Sequence, residues 1–493
     1  MDLHDLLGSR IVEQKLVSEE QLQKALERQR MSGGRLGYNL VSLGYIEEDN
    51  LEELFRRVPV MPGSVEQTGL DLCFIADLIN KIIVFMGEFT IPQVADRVKL
   101  PVPIVDTAMD ILRREKFIEV RGAEGLQKTS YRFIMTDAGR RRAGELLEIC
   151  RYAGPAPITL AEYREQIEIQ TVMHTHLPPE EFKEAFSHLV ISEGLLNVLG
   201  PAASSGRAIF LYGPAGNGKT TIAEAMGSAL PGEVYVPHAL KVGGEIITVY
   251  DKSMHEPVTD RSNGSDFDQR WVCVKRPTVM VGGELTMRTL DLDFNPISKF
   301  YEAPLQLKAN NGLFIVDDLG RQQMNIETLL NRWIVPLARR TDLLTLHTGR
   351  KFEIPFDQLV IFATNFDPKE LVDTAFLRRL RYKIKIDHPT LDQYRKIFIK
   401  VCSSNNVEFR GEVFDYLIEN FYQQTNMPLS SCQPRDIIDH IIDDAFYHGH
   451  PPEMTVDKIE IAWENLFVKK SGKKRINCHA MARSKSHGVT KRP

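Results

Sequence analysis

Residues Gly213-Pro214-Ala215-Gly216-Asn217-Gly218-Lys219-Thr220 have the spacing GxxxxGK[ST]. Residues of these types in this order can hold a chain of phosphates. The glycines let successive backbone N–H groups curl around phosphate oxygens, and a helix N-terminus behind the loop adds positive potential. Lys219 would reach the β- and γ-phosphates of ATP, and the Thr220 hydroxyl would bind Mg²⁺. Thr221 completes the nucleotide-binding set. A second group lies downstream, where the apolar run Gly312-Leu-Phe-Ile-Val316 ends in Asp317 and Asp318. Asp317 would hold Mg²⁺ directly or through water, because hard oxygen ligands suit that ion. Asp318 would orient the attacking water.

These groups need a strand that ends at the loop and a helix that starts from it. Ala208-Ile-Phe-Leu-Tyr212 reads as a buried strand, and Thr221-Ile-Ala-Glu-Ala-Met226 as a helix. From 181 to 395 strands and helices alternate, which predicts a parallel sheet with helices on both faces. Residues 396–468 return to helix. The tail 469–493 is rich in Lys, Arg and Ser, has no acidic residue and is expected to be disordered.

With the loop and the carboxylate strand in place, residues 181–468 resemble the AAA+ ATPases. Leu359-Val-Ile-Phe-Ala-Thr364-Asn365 looks like that family's sensor 1 strand. The resemblance implies that Asn365 polarises water near the γ-phosphate. The segment Thr374-Ala-Phe-Leu-Arg378-Arg379-Leu380-Arg381 looks like the one that carries the arginine finger. Leu377 and Leu380 interleave with the arginines, and the strand-like Tyr382-Lys-Ile-Lys-Ile386 follows. Gln433-Pro434-Arg435-Asp436, opening a helix, looks like sensor 2, which implies that Arg435 touches the γ-phosphate from a helical lid. A finger needs a neighbour, so a homo-oligomeric ring, a hexamer, is implied.

Two features depart from the family pattern. Asp318 stands where Glu is usual, so slow hydrolysis is one expectation. The interval 231–311 is long and contains Gly243-Gly244-Glu245, Gly282-Gly283-Glu284, Tyr250, Phe300 and Tyr301. It reads equally as a substrate-gripping loop or as an extra hairpin insert.

The first 60 residues hold a repeat. Leu7-Gly8-x-x-Ile11-Val12 recurs 29 positions later as Leu36-Gly37-x-x-Leu40-Val41. Each copy reads as a short helix, a turn and an amphipathic helix, with a capping box at Ser18 and Gln21. Two such units can cover each other's apolar faces. Arg35-Leu36-Gly37-x-x-Leu40-Val41-x-x-Gly44 and Gln29 resemble the MshEN domain of type II secretion and type IV pilus assembly ATPases. That resemblance implies cyclic di-GMP binding. Leu6 in place of Arg, Lys15 in place of Gly and Val58 in place of Gln each remove a nucleotide contact or backbone freedom. A protein-docking or structural role is the competing reading.

Residues 66–152 predict three helices, a two-stranded hairpin and a further helix, a pattern that resembles a winged helix. Phe74, Leu78, Ile82 and Phe85 share one helical face. Pro92 falls in the first turn of the second helix. The third helix mixes Asp106 and Asp110 with Arg113, Arg114 and Lys116, a poor phosphate footprint. Residues 153–180 are punctuated by prolines and read as a linker with one helix.

The expected fold is thus multidomain: an MshEN-like helical repeat over 1–60, a winged helix over 66–152, a linker over 153–180, an α/β P-loop AAA+ core over 181–395 and an α-helical lid over 396–468. Composition fits this. Of 493 residues 43% are hydrophobic and 26% charged, the balance of a globular chain of about three domains. A net charge of −5 gives no overall basic excess for nucleic acid. Six scattered cysteines have neither CxxC nor zinc-site spacing and read as free thiols. The N-terminus has no signal-peptide pattern. The most apolar stretch, Phe74 to Met86, is too short to span a bilayer. No membrane insertion and a cytoplasmic location are therefore expected.

The architecture resembles bacterial predicted ATPases with chaperone activity associated with pilus assembly. The leading expectation is ATP-driven remodelling of a protein partner in type IV pilus or secretion assembly. The alternatives are a DNA-binding regulator that uses the winged helix and a slow, nucleotide-switched scaffold.

Overall fold

Ile209–Tyr212 (β1), Thr278–Val281 (β2), Leu313–Val316 (β3), Leu359–Thr364 (β4) and Tyr382–Lys385 (β5) form one sheet in the computed structural model. Its order is β2-β3-β4-β1-β5, and every pair is parallel. The three central strands are short apolar runs because both faces are covered, whereas the edge strands β2 and β5 alternate buried and exposed residues. Ile209, Leu211, Leu313, Ile315 and Ile361 pack with helices Glu193–Ser204 (α1) and Lys219–Ser228 (α2) on one face. Phe210, Phe314, Val360 and Phe362 turn to the other face, against Trp333 of helix Ile326–Arg339 (α3). This alternation follows the two-residue period of a strand.

The structure describes residues 17–32, 36–46, 58–123, 131–173, 175, 177–258, 267–371, 374–378 and 380–467. Arg379, the repeat positions Leu6, Leu7, Lys15 and Arg35, and the tail 469–493 lie outside the described residues. The chain divides into two units, Met1–Asp387 and His388–Pro493. The sheet above is the core of the first.

Before the sheet, helix Glu19–Ser32 opens on the expected capping box. The Gln21 N–H donates to Ser18 Oγ at 3.2 Å and the Ser18 N–H donates to Gln21 Oε1 at 2.8 Å. Leu22, Ala25, Leu40 and Ile46 are buried together, so the described parts of the two copies cover each other.

Helices Leu72–Ile83, Ile91–Val98, Val102–Arg114 and Asp137–Ile149 surround a second core. Pro92 lies in the first turn of its helix, behind a Thr90/Gln93 capping box. The sheet here has three strands, Glu88–Phe89, Tyr131–Met135 and Ile118–Ala123, in that order. The expected two-stranded hairpin therefore gains an edge strand of two residues, too short to leave a periodic signal. Phe85 does not join the buried helical face. The helix ends at Ile83, and Phe85 is 71% exposed, while Ile75 and Ile79 fill the core instead.

Residues 153–180 do not merely connect. Ile158–Thr159 pairs with Ala239–Val242 as the edge of a five-stranded sheet. Asp357, just before β4, accepts from the Thr171 hydroxyl at 2.8 Å and the Val172 N–H at 3.0 Å. Asn311, just before β3, donates to the Ile167 carbonyl at 2.9 Å. The segment is thereby tied to the starts of two core strands.

Around β2, the described residues of the long interval 231–311 include several short strands. Ala239–Val242 and Glu245–Thr248 form a hairpin across Gly243-Gly244, and Glu233–Pro237 pairs with Trp271–Lys275. Tyr301 is 1% exposed, and its hydroxyl bonds His347. That side chain is a core residue, and the hairpin fits the extra-insert reading.

The second unit is helical. Tyr394, Phe398, Phe414, Leu417, Ile437 and Trp463 are buried together. Its helix Gln433–His448 (α4) starts beside a polar knot in which Tyr422 and Ser430 both donate to Gln433 Oε1. Among the described residues, no helix is long and apolar enough to cross a membrane, and the five described cysteines are free thiols.

Candidate functional site

The loop 213–218 leaves the carboxyl end of β1 and enters α2, the end of a parallel sheet where ligands bind. Two glycines are required there. At Gly213, φ is 140° and a Cβ would lie 2.1 Å from the Ile386 carbonyl oxygen. Gly218 is the N-cap of α2 with φ of 79°, a left-handed conformation that a Cβ disfavours. Pro214, Gly216, Thr220 and Thr221 are half-buried, Ala215 is exposed and Asn217 is buried.

Lys219, in the first turn of α2, is 7% exposed. Its ammonium donates to the carbonyls of Gly213 and Pro214, each at 2.9 Å, and to Asn365 Oδ1 at 2.7 Å. Burial lowers its pKa, an effect that Asp317 and Asp318 oppose. The cation is thus drawn into the mouth of the loop, next to where phosphates would lie.

Asp317 and Asp318 follow β3, and Asn365 follows β4. The Thr220 hydroxyl donates to Asp317 Oδ2 at 2.8 Å. Asn365 Nδ2 donates to Asp318 Oδ1 at 3.0 Å. A continuous hydrogen-bonded chain therefore runs Lys219–Asn365–Asp318. The adjacency of β3, β4 and β1 brings its members together from positions up to 146 apart.

Asp318 has φ of 47°, a left-handed conformation that a non-glycine residue adopts at a cost of about 1–3 kcal/mol. Gln322 holds this turn, and nothing in the motif spacing singles it out. Its Nε2 donates to the carbonyls of Asp317 at 3.1 Å and Asp318 at 3.2 Å, while its Oε1 accepts from the Gly320 N–H at 2.8 Å. Thr364 adds a bond from its hydroxyl to the Leu319 carbonyl at 2.7 Å.

Arg378 is exposed on the turn after Thr374–Leu377. Leu377 and Leu380 pack into the core on either side of it, and Lys383 caps their carbonyls at 3.1 and 2.7 Å. The turn is anchored while its arginine faces solvent. Arg435 is exposed in the first turn of α4, in the second unit.

Thr220 and Asp317 supply a hydroxyl and a carboxylate, a hard-oxygen donor pair that fits Mg²⁺. The loop's backbone and Lys219 fit the phosphates of a nucleotide. The strand order and the position of this loop make the core a mixed α/β P-loop fold.

A family model described as "Domain of unknown function (DUF8689)" matches residues 390–465. No curated protein matches the chain. Among solved structures, domain III of the replication initiation protein DnaA from Thermotoga maritima is similar at 13% identity and a TM-score of 0.33, covering 59% of this chain and 98% of that one. The RuvB Holliday junction branch migration motor of the same organism is 14% identical, with a TM-score of 0.31 and coverage of 59% and 70%. NtrX from Brucella abortus in complex with ADP is 13% identical, with a TM-score of 0.34 and coverage of 72% and 64%. These are AAA+ ATPases, the class that the sequence motifs resemble. At such TM-scores the likeness carries no argument about what this chain does.

Proposed function

We propose that the chain is an AAA+ ATPase that binds ATP with Mg²⁺ and hydrolyses it to remodel a protein partner. The observation that carries this reading is the hydrogen-bonded chain from Lys219 through Asn365 to Asp318, beside the Thr220–Asp317 pair. Lys219 would exchange its carbonyl partners for β- and γ-phosphate oxygens. Asp318 would orient the attacking water, with Asn365 holding its carboxylate. Thr220 and Asp317 would hold Mg²⁺, which when bound supplies charge neutralisation at the phosphates. Arg378 or Arg379 would reach a neighbour's site in a hexameric ring, and Arg435 would contact the γ-phosphate from the lid. The test is steady-state phosphate release by the intact chain. Mg²⁺-dependent turnover that Lys219→Ala abolishes is expected, whereas ATP binding without turnover would leave a nucleotide-switched scaffold.

Gln322 should set the rate through Asp318. Misplacing a catalytic group by about 1 Å can cost on the order of 10²-fold. We predict that Gln322→Ala slows phosphate release about ten- to a hundredfold, while ATP affinity stays within about twofold. Turnover equal to wild type would remove Gln322 from the site.

For the N-terminal repeat we favour protein docking, in type IV pilus or secretion assembly, over cyclic di-GMP binding. The three substitutions at expected contact positions support this. Saturable binding of cyclic di-GMP by the full chain, lost in Arg35→Ala, would overturn it. The DNA-regulator reading is weakened by pairing of the basic groups it needs. Arg113 is 3.2 Å from Asp110, and Arg121 and Arg132 both face Glu88. A salt-sensitive gel shift with the whole protein would revive it.

A further inference from the structure

The carboxyl end of α4 carries Asp444, His448 and His450, whose ligand atoms gather within 4.8 Å of one another. Asp444 and His448 are four residues apart on one helical face. Gly449 then caps the helix with φ of 72°, and the His450 N–H returns to the Ala445 carbonyl at 3.1 Å. That capping turn brings His450 back beside its two neighbours. The imidazoles of His448 and His450 lie nearly parallel, 8° apart in plane.

His448 Nδ1 lies 2.9 Å from the Asp444 carbonyl oxygen and 3.4 Å from its carboxylate Oδ1, and His450 Nδ1 lies 3.1 Å from the Pro451 carbonyl oxygen. The Asp444 carboxylate is meanwhile occupied by the Lys458 ammonium, a positive charge held against a prospective anionic ligand.

From this geometry we infer a transition-metal site formed by Asp444, His448 and His450, in which Lys458 guards Asp444 until a cation such as Zn²⁺ replaces it. Two nitrogen ligands and one oxygen suit Zn²⁺, Ni²⁺ or Cu²⁺ and disfavour Mg²⁺ or Ca²⁺. Three protein ligands leave a position open for water or a partner's side chain. The adjoining cavity is lined by Ile441, His450, Glu453, Thr455 and Lys458, which gives such a group room to approach. The site lies wholly in the second unit and does not depend on ATP chemistry.

The experiment is titration of nucleotide-free, chelator-treated full-length protein with ZnCl₂, followed by calorimetry, and with CoCl₂, followed by visible absorption. Wild type is expected to bind one equivalent more of Zn²⁺ than the His448→Ala/His450→Ala double variant, with affinity in the range of about 1–100 µM. Lys458→Met should tighten that site by about tenfold, because the competing ammonium is gone and a carboxylate ligand is released. Both histidines are exposed, so the double variant should keep its thermal unfolding midpoint, which serves as the check on folding. Equal stoichiometry in wild type and the double variant would overturn the site. Unchanged affinity in Lys458→Met would overturn the part assigned to Asp444 and its guard.

Discussion

Lys219→Ala should weaken ATP binding at least about a hundredfold. A hydrogen bond to a charged group contributes about 1.5–3 kcal/mol, and each 1.4 kcal/mol is about a tenfold change in affinity. Lys219 is the loop's one side-chain cation, and it would bridge two phosphates, so about 3 kcal/mol is a modest expectation. The substitution also touches the protein itself. It leaves the Gly213 and Pro214 carbonyls and Asn365 Oδ1 without the ammonium that now bonds all three. Leaving these acceptors unbonded should cost about 1–3 kcal/mol of stability, and the fold should be retained. Calorimetry against ATP, paired with thermal unfolding, separates the two effects. Near-normal affinity in a folded variant would remove the loop from the nucleotide site.

How far this site was legible depends on how local its signals are. The phosphate loop is contiguous, and its glycines are demanded by backbone geometry at Gly213 and Gly218, so spacing alone reveals it. β3 and β4 are apolar runs because both faces are buried, and they deliver Asp317, Asp318 and Asn365 at their carboxyl ends. The Ser18/Gln21 cap and Pro92 were equally readable, since each acts within one helical turn. Gln322 was not, because its role depends on the left-handed turn at Asp318 and not on any spacing. The burial of Tyr301 was not readable for a related reason. A partner 46 residues away makes it a core residue, and nothing around position 301 records that. The strand Glu88–Phe89 exists only through pairing with Tyr131–Met135. The Asp444, His448 and His450 group likewise comes together only through the capping turn at Gly449, which folds His450 back over the helix end.

Arg379→Ala should leave ATP affinity nearly intact and reduce hydrolysis by roughly 10³–10⁵, the contribution of an arginine finger acting in trans. The turn that carries Arg378 supports this placement. Leu377 and Leu380 anchor it to the core, Lys383 closes its carbonyls, and Arg378 points to solvent. An arginine exposed on an anchored turn is free to reach a group outside its own chain. Its counterpart is expected on a neighbour, where charge develops on the γ-phosphoryl oxygens. The consequence separates Arg379→Ala from Lys219→Ala, which should fail at binding. Mixing the two inactive variants should restore part of the activity, because some interfaces then join an intact loop to an intact finger. Turnover per chain should also rise with protein concentration as rings assemble. If Arg379→Ala and Arg378→Ala both hydrolyse ATP at the wild-type rate, and light scattering shows monomers at full activity, the two arginines form a solvated surface run and catalysis is completed within one chain.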